Sequence, residues 1–115
     1  MSSATMAAGQ AINLAQAVDY AAGSVVSKTL VDKPAGSLTL FAFDAGQGLS
    51  EHTSPYGAVV QVLDGEVEIM LDGQPHVVSS GELFSMPAHL PHALRAVKKF
   101  KMLLIMIREK MPPVT

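Results

Sequence analysis

The sequence predicts an all-β domain, an antiparallel sandwich or barrel, on three observations. Short runs of branched and aromatic residues recur with turn residues between them roughly every 8–12 positions. Two Asp-Gly pairs, Asp64-Gly65 and Asp72-Gly73, punctuate the clearest of these runs. No stretch of helical length carries an amphipathic pattern, which removes a doubly wound α/β fold.

Ile12, Leu14 and Val18 stand among alanines near the start, where one short helix and an extended arm are both open. Residues 25–30 are rich in branched side chains and read as a strand, and 32–36, with Pro34 and Gly36, read as a turn. A second strand over 37–43 is ended by Gly46 and Gly48. The runs 59–63 and 66–71 flank Asp64-Gly65, a pair suited to a tight hairpin because glycine accepts positive φ. Val67, Ile69 and Leu71 share one face, so Glu66 and Glu68 turn toward water. Asp72-Gly73 returns the chain into 76–79, and strands over 83–86, 92–96 and 102–107 follow.

The length of 115 residues is that of one domain. Hydrophobic residues at 49% against 16% charged give a chain that folds around a core. A net charge of −2 provides no basic face for nucleic acid, and Arg95, Lys98, Lys99 and Lys101 read as a solvated turn. With no cysteine, disulfides, thiolate zinc sites and cysteine nucleophiles are excluded. The longest apolar run, 102–107, falls far short of the ~20 residues of a membrane helix. The opening residues lack a basic segment followed by an apolar one, so a soluble, cytoplasmic protein is expected.

Two histidines, His52 and His92, stand in frames marked by glycine and proline. The first frame sets Gly46 six residues before His52 and closes on Gly65; the second runs Gly81, Pro87, His92. Together they resemble the two motifs of the cupin family of small β-barrels. The family's second histidine falls on Ser54 and its glutamate on Ala58. Its second-motif glycine falls on His89 and its asparagine on Ala96. The resemblance implies an antiparallel jelly-roll barrel over 25–110, with an N-terminal arm over 1–24 and a C-terminal tail over 111–115. It implies a homodimer too, with N-terminal strands adding to the partner's sheet; the alternative is a strand folded back on its own barrel.

Family members that bind metal hold one divalent ion with three histidines and a glutamate. Only His52 and His92 keep ligand side chains here, a pair that suits zinc, nickel, iron, copper or manganese at most weakly without a third donor. Glu51, His89 and the Ser54 hydroxyl are the nearest candidates for that donor. Strand alternation sets His52 and Ser54 on one face, and Ser54, Tyr56, Ala58, Val60, Val62, His89 and Leu94 are expected around a ligand pocket. Alanine in place of glutamate makes that pocket roomy and apolar, fit for a modest organic molecule with one polar or anionic end. Ser54 has no oxyanion hole or nucleophile elbow around it, which argues against a hydrolase. The methionines read as core filling.

Three functions stay open. The chain binds a small molecule together with one divalent metal at His52 and His92, or it is a metal-free, non-catalytic binding or sensing module, or it is a metal-dependent isomerase or dioxygenase. His52 and His92 satisfied by backbone and hydroxyl groups alone is the structural alternative.

Overall fold

Turns of two to a few residues, set by glycine, aspartate and proline, leave the chain no room for helices between strands. The structure, a computed structural model, describes residues 6–110. Its strands are β1 Val25–Lys33, β2 Gly36–Phe43, β3 Gly48–His52, β4 Tyr56–Asp64, β5 Glu66–Leu71, β6 Gln74–Ser79, β7 Leu83–Met86, β8 His92–Arg95 and β9 Phe100–Lys110. All pairings are antiparallel, in one sheet ordered β1-β2-β9-β4-β7 and a second ordered β3-β8-β5-β6. From β2 onward this is the eight-strand jelly roll, and β1 extends the first sheet by a hairpin around Pro34-Ala35. The expected tail over 111–115 lies outside the described residues, as do residues 1–5 of the arm.

The two Asp-Gly pairs do different work. Asp72 and Gly73 both take positive φ, 50° and 78°, as a two-residue hairpin between β5 and β6 requires. Asp64-Gly65 is not the hairpin expected from sequence: β4 and β5 belong to different sheets. Gly65, at φ 72°, turns the chain across the barrel with the backbone of Lys99 and Phe100 packed against it. Both turns need positive φ, and only pairing with distant strands separates a hairpin from a corner.

Alternation gives the barrel an inner and an outer apolar face. Inside, Phe43 and Phe100 stack at 4.5 Å between ring centres and join Val60, Val62, Val67, Ile69 and Met102 in a dry core. Outside the five-stranded sheet, Leu40, Ala42 and Leu103 would meet water if nothing covered them. The arm covers them: a single 3-10 turn, Leu14–Gln16, capped by Asn13, brings Leu14, Ala17, Val18 and Tyr20 onto this face. The turn resolves the choice between helix and arm, because a segment this short holds only by docking. The Tyr20 hydroxyl donates to Asp64 at 2.6 Å, while Lys99 and Lys101 lie over its ring. Burial, with the acceptor Asp64 beside it, holds the Tyr20 phenol above its ordinary pKa, so it stays protonated and keeps donating. Within this chain β1 pairs with its own β2.

Among the described residues no helix is long and apolar enough to cross a membrane.

Candidate functional site

At one end of the barrel the two inner faces diverge and leave a cavity of about 60 Å³, several times the ~10–15 Å³ that one water requires. Leu49, Ala58, Leu94 and Leu104 make much of its wall, with Met86, Met102 and Met106. Its polar groups are few: His52, Ser54, Tyr56 and His92. An apolar wall with a few convergent polar groups is the usual build of a small-molecule site.

The histidines are brought together by sheet register. His52 ends β3, and its cross-strand partner on β8 is His92, so both side chains leave the sheet on the same face. Their ring centres lie 4.3 Å apart at an interplanar angle of 67°, edge against face. Each ring is held from behind by a backbone carbonyl two residues upstream, His52 Nδ1 by Ser50 at 2.8 Å and His92 Nδ1 by Leu90 at 3.1 Å. A carbonyl only accepts, so each Nδ1 must carry hydrogen, and in the neutral rings each Nε2 is then a lone pair. The histidines therefore offer two acceptors, beside the Ser54 and Tyr56 hydroxyls, which can donate or accept.

His92 is buried and His52 exposed. Burial lowers the His92 pKa below its ordinary value; the Leu90 carbonyl opposes that shift, and charge on nearby His52 adds to it. Because the folded state resists the proton that the unfolded chain accepts, the His92 contribution costs stability as pH falls below about 6.5 toward the depressed value. NMR titration of the ring protons is expected to give His92 a midpoint below the free-imidazole value, and His52→Gln is expected to raise that midpoint by removing the like charge. A His92 midpoint at or above the free-imidazole value would contradict the burial argument.

Of the residues expected around the pocket, Ser54, Tyr56, Ala58 and Leu94 line this cavity with the two histidines. Val60 and Val62 do not. They point inward on the same strand but are sealed in the core, at 0% and 1% exposure. His89 is not in the wall either. Its φ of 71° is the left-handed conformation that glycine adopts freely, and its backbone N–H donates to the Ser54 carbonyl at 2.8 Å, stitching the two mouth loops together. Ser54 lies beyond the end of β3, so strand alternation is not what aims it inward. Its hydroxyl accepts from the Tyr56 N–H at 3.1 Å. Glu51 is exposed beside His52 and takes no part in the wall.

Sequence reading missed Leu49, Leu104 and the methionines as cavity residues. The signal lay in β9, where Met102, Leu104 and Met106 alternate in phase with core residue Phe100. What one strand cannot tell is how far along it the packed core gives way to open space.

A family model described as cupin domain matches residues 39–108. A conserved Streptococcus pyogenes protein of unknown function has a similar structure, with a TM-score of 0.87 and 35% identity over 96% of this chain and 98% of its own. A cupin 2 conserved barrel protein from Leptotrichia buccalis is 44% identical at a TM-score of 0.81 over 84% of this chain. This chain covers 47% of that protein. A cupin superfamily protein from Desulfitobacterium hafniense gives a TM-score of 0.84 and 25% identity, over 93% of this chain and 98% of its own. No curated protein matches the chain.

Proposed function

The chain belongs to the cupin family, and on that footing we propose that it binds a small, largely apolar molecule whose hydrogen-bond-donating head sits against His52 and His92. The observation that carries this reading is the pair of histidines with Nε2 lone pairs in a largely apolar wall, both rings fixed from behind by carbonyls. A hydroxyl, an amide N–H or a protonated acid meets that demand. At the histidines an ionised carboxylate meets two lone pairs instead, leaving it only the Ser54 and Tyr56 hydroxyls as side-chain donors, and burial at His92 opposes the protonation that would accommodate it. The anionic head among the sequence expectations is thereby the weaker choice near neutral pH. The reading is of a binding or sensing module, with a metal-dependent isomerase or dioxygenase as the rival class. A homodimer belongs to the same proposal, supported by the position of β1 at the edge of its sheet.

A metal at His52 and His92 is a second reading, favoured by the closeness of the two rings. For a hard divalent ion the side chains fit poorly. Among the described residues no group of three or more histidine, cysteine, aspartate or glutamate side chains could hold a metal. Ala58 supplies a methyl group where a carboxylate would balance charge.

The test is thermal unfolding against matched alcohols, amides and acids across pH 5–8. A ligand at about 100 times its Kd is expected to add about 2.7 kcal/mol, roughly 10 °C or more for a domain of this size. That shift should persist at neutral pH for neutral donors and vanish in His52→Ala, His92→Ala. Equal stabilisation of wild type and double variant, or stabilisation by ionised acids alone, would sink the reading.

A further inference from the structure

The inner face of the five-stranded sheet carries a row of side chains that lines the same cavity as the histidines. In register, Ala58 on β4 has Met86 of β7 on one side and Met106 of β9 on the other. Adjacent strands lie ~4.8 Å apart, so two methionine side chains leave the sheet on either side of the Ala58 methyl. Both methionines line the same cavity as His52 and His92, and Met106 is only half-buried. Methionine is unbranched and turns about three bonds, so its sulfur can swing toward an occupant at little cost.

We infer that the cavity holds a soft monovalent metal ion, Cu(I), between the imidazoles of His52 and His92 and the thioethers of Met86 and Met106. This rests on the metal reading of the site and specifies its ion. Every donor in the set is neutral: two ring nitrogens with free lone pairs and two sulfurs. Thioether donors favour Cu(I) over hard divalent ions, which ask for carboxylate, carbonyl or water oxygen, and borderline Zn(II), which imidazole also suits, finds no charged ligand here. Charge points the same way. Desolvation cost grows with the square of the charge, so a divalent ion entering this apolar wall costs about four times what a monovalent ion does, with no carboxylate to offset it. Low coordination number suits Cu(I) as well, and the cavity has room for one ion without expelling its wall.

The experiment is anaerobic titration of the whole chain with Cu(I) against a chromophoric chelator, in parallel with Zn(II), and with [13C-methyl]methionine NMR. One Cu(I) per chain is expected, held ~100-fold or more tighter than Zn(II), with the Met86 and Met106 methyl resonances displaced. His52→Ala, His92→Ala should abolish it. Met86→Leu, Met106→Leu, which nearly conserves volume and should leave the circular dichroism spectrum unchanged, is expected to weaken Cu(I) by at least ~10-fold and leave Zn(II) within about threefold. Zn(II) bound as tightly as Cu(I), or Cu(I) binding indifferent to the methionine pair, would overturn the soft-ion inference and leave a histidine metal site standing. No binding of either ion would overturn both.

Discussion

The double substitution Ser54→His, Ala58→Glu is expected to turn the cavity into a tight Zn(II) or Ni(II) site. Both positions line the same cavity as His52 and His92, so the new imidazole and carboxylate would face the existing pair. The imidazole and carboxylate donors that suit a divalent ion rise from two to four, and one brings the negative charge that the apolar wall lacks. Loss of supporting groups around a metal commonly costs 10–100-fold in affinity, and a direct ligand is worth at least as much. The gain over the native chain should therefore reach about 100-fold or more by calorimetry. In the metal-free variant the glutamate is an opposite charge close to His92, so the His92 midpoint should rise toward and past the free-imidazole value. The two readouts are independent. Unchanged divalent affinity with a raised His92 midpoint would show that the carboxylate arrives but the two native histidines do not converge on an ion.

Gly65→Ala is expected to be the most damaging single methyl group in the barrel. A Cβ there would sit 2.1 Å from the Lys99 carbonyl oxygen and 3.0 Å from Phe100 Cα, both backbone atoms of the neighbouring connection. The φ of 72° adds the cost of a left-handed residue, ~1–2 kcal/mol. Relief requires moving the start of β9, and with it Phe100, which is fully buried and stacked on Phe43. A loss of about 3 kcal/mol or more follows, lowering Tm by roughly 12 °C or more. Gly73→Ala is the comparison: its φ of 78° is as demanding, but nothing lies within 4 Å of the added methyl. It should cost only the backbone term, about 1 kcal/mol. Equal losses at the two positions in chemical denaturation would show that packing at the inter-sheet corner contributes nothing.

The contrast between these glycines marks what the sequence could and could not convey. Strand positions after residue 25 followed from branched runs and turn residues except for β3, Gly48–His52, which holds no β-branched residue to announce it, while the motif frames brought His52 and His92 into the same barrel. Turn chemistry is local, so Asp-Gly announced positive φ at both places. Whether a turn closes a hairpin or changes sheets depends on β4 meeting β9 and β7 instead of β5, and no local pattern encodes that choice. The site divides the same way. His52, Ala58 and Leu94 were legible from spacing and alternation, and Ser54 from spacing alone, since it lies between β3 and β4. Val60 and Val62 were placed too near the mouth because alternation gives direction but not depth. Met86 and Met106 were passed over because their proximity to Ala58 exists only across three strands, two of them distant in sequence.

The two histidines are not equally anchored. His92 lies on β8, which is paired on both sides; His52 ends β3, an edge strand held by β8 alone, where the register breaks between Leu49 and His52. Edge segments with one set of ladder bonds open at a fraction of the global unfolding free energy. The cavity thus has a fixed jamb and a hinged one. For the occupant proposed above, exchange is expected to proceed by fraying of the β3 end while the Phe43–Phe100 core stays closed. Its residence time would then be a property of one short strand, with the stability of the barrel setting only the upper limit.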